Sequence, residues 1–195
     1  LRGVSVHSFE PGNMTRTSNS ITRETAERIR LVIFDVDGVL TDAGLYTGAT
    51  AKGELFELKR FDIQDGVGLK MLKWAGLDVV LVSGRVSEAT SIRAKDLGID
   101  GCYQIPDAHK LKVVKQILDE RTISWDEVAM IGDDIPDLAV MRLVGLKAAV
   151  ANATDPIASI ADWQSSRSGG HGAVREFTDA LLRARGELDE VVEKY

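Results

Sequence analysis

Leu31-Val32-Ile33-Phe34-Asp35-Val36-Asp37-Gly38-Val39-Leu40-Thr41-Asp42 is an apolar run that ends in two carboxylates one residue apart. The branched residues at its start read as a buried strand. Two anions at the end of such a strand call for a cation between them or for shifted pKa values. A second acidic group, Gly132-Asp133-Asp134-Ile135-Pro136-Asp137, follows another apolar stretch far along the chain.

Outward from that run the pattern repeats. Segments 79–82, 101–105, 128–131 and 147–150 are short and apolar. Segments 65–75, 87–97, 111–120, 135–144 and 155–161 read as helices, several of them stopped by Gly76, Gly98 or Gly145. Short strands alternating with helices predict an α/β domain whose mostly parallel sheet is covered on both faces. Residues 44–61 alternate instead, with Leu45, Phe56, Leu58 and Phe61 against polar neighbours and Gly48 and Gly53 as turns, and predict a β-hairpin. Residues 1–20 mix Gly, Pro, Ser, Thr and Asn without a period and read as a flexible arm, leading to a short helix within 21–29. Residues 162–171 read as a polar, Gly-rich loop, and 173 to about 195 as one long helix.

Right-handed crossovers place the C-terminal ends of parallel strands on one edge, where ligands sit in such folds. That edge collects Asp35 and Asp37, then Ser83-Gly84-Arg85, then Lys110, then Asp133, Asp134 and Asp137. Each group alone has an ordinary reading: aspartates and serines after strands cap helices or shape turns, and Lys110 is a solvated lysine. Asp42 fits a turn as well as a site. The shared position is what argues for chemistry. His109 and His171 read as surface or loop residues rather than ligands.

The chain has 195 residues and 44% hydrophobic content, enough for one domain with a proper core and a small appendage. A formal charge of −6 argues against a nucleic-acid surface. The single cysteine, Cys102, excludes an internal disulfide. No apolar run is long enough to cross a bilayer and the first residues lack the apolar core of a secretory signal, so no membrane partner and a cytoplasmic location are expected. A glycine-rich loop ending in Lys-Ser or Lys-Thr is absent, which argues against nucleotide hydrolysis of that type.

An all-oxygen donor set favours a hard octahedral ion, which makes Mg²⁺ the expected cofactor. One carboxylate of the first pair suits attack on phosphorus; the other suits protonation of a leaving alcohol and then activation of water. A hydroxyl and a lysine suit the non-bridging phosphoryl oxygens.

The stretches 35–42, 82–85 (Val82-Ser83-Gly84-Arg85), Lys110 and 131–137 resemble the motifs of the haloacid dehalogenase-like superfamily of aspartate-nucleophile phosphatases. Gly169-Gly170-His171-Gly172-Ala173-Val174-Arg175-Glu176 and Phe61-Asp62-Ile63-Gln64-Asp65-Gly66-Val67-Gly68 resemble its 3-deoxy-D-manno-octulosonate 8-phosphate phosphatases, and the resemblance runs from 30 to about 186. It implies a three-layer Rossmann-like α/β fold with a parallel sheet, a small β-hairpin flap and no large cap domain. It implies an arm and short helix over 1–29, a phosphatase domain over 30–186 that includes the hairpin 43–61, and a helical tail over 187–195. By the same resemblance Asp35 is the nucleophile and Asp37 the acid and base. The metal would be held by the Asp35 carboxylate, the Asp37 main-chain carbonyl and Asp133, with Asp134 in support. Ser83, Gly84 and Lys110 would bind the phosphoryl group, Asp137 would orient Lys110 or the metal's waters, and Arg85 and Arg175 would face the substrate. Arg175 has a plainer reading, pairing with Glu176 or Asp179 on its own helix. His109 and Pro136 stand where relatives often carry Asp and a polar residue.

The implied reaction is Mg²⁺-dependent hydrolysis of a small-molecule sugar-acid phosphate through an aspartyl phosphate. The implied substrate is 3-deoxy-D-manno-octulosonate 8-phosphate, a precursor in lipopolysaccharide sugar synthesis; a nonulosonate 9-phosphate is the alternative. The implied assembly is a homotetramer in which each hairpin borders a neighbour's site, and the apolar hairpin residues supply an independent motive for it. A non-catalytic oligomerisation domain is the competing class, but it has no chemical reason to keep Asp35, Asp37, Ser83, Lys110 and Asp133 together. A phosphate-accepting signalling domain would lack Asp37.

Overall fold

The computed structural model describes residues 19–194, so most of the expected arm over 1–20 lies outside the described residues. A short helix, α1 (Arg23–Arg28), begins where the Thr22 side chain accepts the Thr25 N–H, and leads into β1 (Leu31–Phe34). An antiparallel hairpin follows, β2 (Tyr46–Ala49) and β3 (Leu55–Leu58), its base closed by a bridge between Thr41 and Phe61. The chain then alternates: α2 (Ile63–Trp74), β4 (Asp78–Ser83), α3 (Glu88–Leu97), β5 (Gly101–Gln104), α4 (Lys110–Arg121), β6 (Val128–Gly132), α5 (Ile135–Met141), β7 (Leu146–Ala149), α6 (Asp155–Ala158), β8 (Trp163–Gln164), α7 (Ala173–Arg185) and α8 (Leu188–Glu193). Six strands form one parallel sheet in the order β5-β4-β1-β6-β7-β8.

Every residue of β1 is buried, because the strand serves two cores. Val32 and Phe34 point into a cluster with Leu69 and Leu72 of α2, Ala94 of α3 and Phe177 and Leu181 of α7. Leu31 and Ile33 point the other way, onto Val114 and Ile117 of α4 and Val140 and Met141 of α5. Phe177 is the hub of the first cluster, edge-on to Phe34 at 6.3 Å and to Trp163 at 5.5 Å. Burying a side chain of that size contributes about 1.5–3 kcal/mol. The three-layer α/β architecture, with no large cap domain among the described residues, matches the expectation.

The sheet order matters for the site. Crossovers from β1 run first to β4 and β5 on one side, then to β6, β7 and β8 on the other. Such a reversal opens a crevice beyond the carboxyl ends of the central strands.

Three local expectations change. The segment 162–171 is not wholly loop: Trp163 and Gln164 pair with Ala148 and Ala149 as a sixth strand. The long C-terminal helix is two helices, because Gly186 takes φ 77° and stops α7. Gly48 is not a turn residue; it sits within β2 opposite Phe56, whose ring lies where a Cβ would project, and the turn falls at Gly53 with φ 82°. No helix of the described residues is long and apolar enough to cross a membrane.

Candidate active site

Asp35 follows β1 directly, and its N–H still donates to the Ile131 carbonyl at 3.2 Å, so the sheet fixes its position. The chain then coils tightly: the N–H groups of Leu40 and Thr41 both donate to the Val36 carbonyl at 3.0 Å. Gly38 takes φ 109°, a conformation that disfavours any side chain. This coil leaves the Asp35 carboxylate buried and brings that of Asp37 to the rim.

Asp133 leaves the end of β6 and Asp137 lies in the first turn of α5. Carboxylate oxygens of Asp35, Asp133 and Asp137 all lie within 4.8 Å of one another. Asp137 is fully engaged: one oxygen accepts from Lys110 Nζ at 2.6 Å, the other from the Asp133 N–H at 3.0 Å. Lys110, the first residue of α4, also donates to Asp35. The Asp133 carboxylate accepts no hydrogen bond from any described residue. Asp134 caps α5, accepting the Ile135 N–H at 2.8 Å, and lies 3.3 Å from Thr154 Oγ1.

The charges in this cluster do not balance. Burial, then the negative charge of Asp137, pushes the Asp35 carboxyl up to about 7 despite the opposing pull of Lys110. Burial, then Asp35 and Asp137, pushes Asp133 up to about 8. Burial works against the Lys110 ammonium, yet Asp35 and Asp137 outweigh it and raise its pKa. Lys110 therefore stays charged between Asp35 and Asp137, while burial and Asp137 outweigh its pull on Asp35. One ammonium stands among three carboxylates; with all three ionised the cluster would carry an excess of two negative charges, and Asp35 and Asp133 keep their protons to raised pH in consequence. The oxygen donors and the unpartnered Asp133 fit a hard divalent cation.

On the rim, the Asp37 carboxylate meets three donors. Lys59 Nζ lies at 2.6 Å, Ser83 Oγ at 3.2 Å and Arg85 Nη1 at 3.4 Å. Ser83 ends β4 and is buried. Gly84 packs against Ala108 and the stem of Lys110, with a notional Cβ only 3.1 Å from the Ala108 Cβ. Glu57 of the hairpin closes the ring, accepting from Arg85 Nη2 at 3.1 Å and Ser87 Oγ at 3.2 Å. The sequence reading passed over Lys59 and Glu57. Both sit on a hairpin whose neighbours are exposed, and only the fold shows that they turn inward.

The segment 169–172 lies against the loop that carries Asp37. Gly170 donates to the Val39 carbonyl at 3.0 Å and its own carbonyl accepts from Arg60. A Cβ on Gly169 would overlap the Gly38 carbonyl. Asp65, buried on α2, accepts the N–H groups of Gly172 at 3.2 Å and Arg175 at 2.9 Å, and so caps α7 from another helix. Burial pushes its pKa up, against those same bonds. Arg175 is not brought to the carboxylate cluster within this chain. Its guanidinium pairs with Asp179 at 2.8 Å, on the wall of a depression of about 550 Å³ shared with Arg167 and Arg183. His109 takes the position before α4 and is exposed.

Residues 104–177 match the family model described as haloacid dehalogenase-like hydrolase. The chain is 41% identical over 165 residues to the 3-deoxy-D-manno-octulosonate 8-phosphate phosphatase of Escherichia coli K12, covering 85% of each chain. It is similar to the solved structure of that phosphatase from Moraxella catarrhalis in complex with magnesium ion, phosphate ion and KDO, with 33% identity, a TM-score of 0.81 and coverage of 88% and 96%. The cobalt-bound deoxy-D-mannose-octulosonate 8-phosphate phosphatase of Haemophilus influenzae matches with 36% identity, a TM-score of 0.76 and coverage of 84% and 93%.

Proposed function

Because this chain belongs to the haloacid dehalogenase-like hydrolases, within the 3-deoxy-D-manno-octulosonate 8-phosphate phosphatase subfamily, and is a phosphoric monoester hydrolase, we propose that it cleaves 3-deoxy-D-manno-octulosonate 8-phosphate through an aspartyl phosphate on Asp35. The observation that carries this reading is the meeting of Asp35, Asp133 and Asp137 around one lysine, with Asp37 on the rim above them.

A divalent ion, taken to be Mg²⁺, would be held by the Asp35 and Asp133 carboxylates and the Asp37 carbonyl. When bound it would neutralise the excess negative charge and lessen the repulsion between Asp35 and an anionic phosphate. Lys110 and Ser83 would hold the non-bridging phosphoryl oxygens. An Asp35 oxygen attacks phosphorus while the bond from phosphorus to the sugar oxygen breaks. Asp37 gives that oxygen its proton, and the alcohol leaves. Asp37, now a carboxylate, takes a proton from water as the water oxygen bonds to phosphorus. The Asp35–phosphorus bond breaks, and phosphate and the free carboxylate are restored. Arg85, on the rim beside Asp37, suits the carboxylate of the sugar acid because its donors form a fork.

Asp37 and its donors lie on the rim, so the sugar half of a substrate needs further walls. Leu55 is 87% exposed and Leu58 61%, beside exposed Leu45 and Phe56 on the same hairpin. A second copy of the chain covering this apolar face would supply such a wall, which supports a homo-oligomer, proposed as a tetramer.

A phosphate-release screen tests the function: eight- and nine-carbon sugar-acid phosphates and simple sugar phosphates, each with Mg²⁺ and with chelator. The highest kcat/KM is expected for the eight-carbon acid, with Mg²⁺ required. Mg²⁺-dependent hydrolysis that ignores the sugar acid would overturn the substrate; no hydrolysis of any member would overturn the reading.

A further inference from the structure

The hairpin sends most of its large apolar side chains outward and two charged side chains, Glu57 and Lys59, inward. Leu55 and Leu58 are exposed, while the Lys59 side chain, next in the chain, is 2% exposed. A buried ammonium is costly unless it is paired. Its partners are Asp37 at 2.6 Å and Glu57 at 3.7 Å. Asp37 is only partly buried, so its carboxylate is free to rotate unless something fixes it. Ser83 approaches it from β4 and Arg85, at 3.4 Å, is nearly half exposed. Lys59 makes the shortest of these contacts and the one best shielded from water.

We infer that Lys59 is a positioning residue for proton transfer: it fixes the Asp37 carboxylate on the rim and sets a cation beside the negative charge that appears there when the proton goes to the leaving oxygen. This rests on the reading of Asp37 as proton donor. The step is simple: Asp37 passes its proton to the leaving oxygen, the phosphorus–oxygen bond breaks, and the carboxylate forms against an ammonium already in place. Such help matters most where the leaving oxygen is most basic and least where the departing anion is stable by itself. Glu57 has a matching role at one remove. It holds Arg85 and lies near Lys59, so the hairpin and the β4 end meet on one ring of charges around Asp37.

The test uses substituted phenyl phosphates of near-constant size, from p-nitrophenyl to unsubstituted phenyl, with the full-length, Mg²⁺-loaded enzyme. kcat/KM for the parent, Lys59→Met and Lys59→Gln is plotted against the acidity of the leaving phenol. Both variants are expected to lose less than about threefold on the p-nitrophenyl ester and about tenfold or more on the phenyl ester, a steeper dependence than the parent's. Near-parent activity on the p-nitrophenyl ester also reports that fold and nucleophile are intact. Lys59→Met in an Asp37→Asn background is expected to add little to the loss from Asp37→Asn alone, because both act on one proton. Equal losses across the series in both Lys59 variants, beside a selective loss in Asp37→Asn, overturn the inference and leave the role of Asp37 standing. Equal losses in Asp37→Asn itself overturn the reading of Asp37 and this inference with it.

Discussion

The carboxylate of Asp133 fills the space in which a side chain on Gly38 would begin. These two residues sit on different loops, after β1 and after β6, and the missing side chain on Gly38 leaves room for the Asp133 carboxylate beside the loop that carries Asp35. Gly38→Ala is therefore expected to push Asp133 away and also to strain a backbone at φ 109°. Mg²⁺ affinity, read by calorimetry, should fall at least about tenfold, and stability by more than about 1 kcal/mol. Unchanged affinity would mean that Asp133 does not hold the ion.

Lys110 is the counter-charge that the metal-free site depends on. Replacing it with Met leaves Asp35 and Asp137 buried without their ammonium, so stability in chelator should drop by about 3–5 kcal/mol by urea unfolding. Turnover should be lost as well. Lys110→Arg is not expected to rescue either property, because a planar fork does not replace a point charge gripped from two sides.

The metal-free protein should lose stability as pH rises. The folded state holds protons on Asp35 and Asp133 up to about 7 and about 8. The unfolded chain releases them near the ordinary carboxylate value of about 4, so between those limits the native state binds more protons and unfolding becomes easier with each pH unit. A melting-temperature series in chelator should fall from about pH 5 to about pH 8, and added Mg²⁺ should raise it most at the alkaline end. A series that rises over that range would contradict the charge excess in the site.

Asp65 joins α2 to the start of α7 and thereby sets the 169–172 segment against the loop of Asp37. Asp65→Ala removes both acceptors and should cost about 1–2 kcal/mol, in line with loss of a helix cap. Equilibrium unfolding reads it directly, and a change below about 0.3 kcal/mol would show that the cap is dispensable.

The parallel sheet was legible because β1, β4 and β6 are short branched apolar runs with no competing helical period. The clusters at their ends were legible because a parallel sheet has one carboxyl edge. What escaped the sequence depends on contacts between residues far apart. Lys59 looks like any surface lysine until the bridge between Thr41 and Phe61 folds the hairpin base beside Asp37. Asp65 reads as a first-turn acid of α2, yet its partners lie in α7. β8 is two residues long and shows no period, so only its pairing with β7 defines it. The break at Gly186 carried a readable signal, a glycine between apolar helical stretches, which the amphipathic continuation on both sides masked.

The most direct measurement follows the phosphoryl group itself. Asp37→Asn, with Mg²⁺ and p-nitrophenyl phosphate, is quenched in acid within a single turnover, digested and analysed by mass spectrometry. The peptide containing Asp35 should carry one added phosphoryl group, which is absent from the Asp35→Asn chain. Phosphate release at the parent rate from Asp35→Asn, or the label on any other residue, would contradict attack by Asp35.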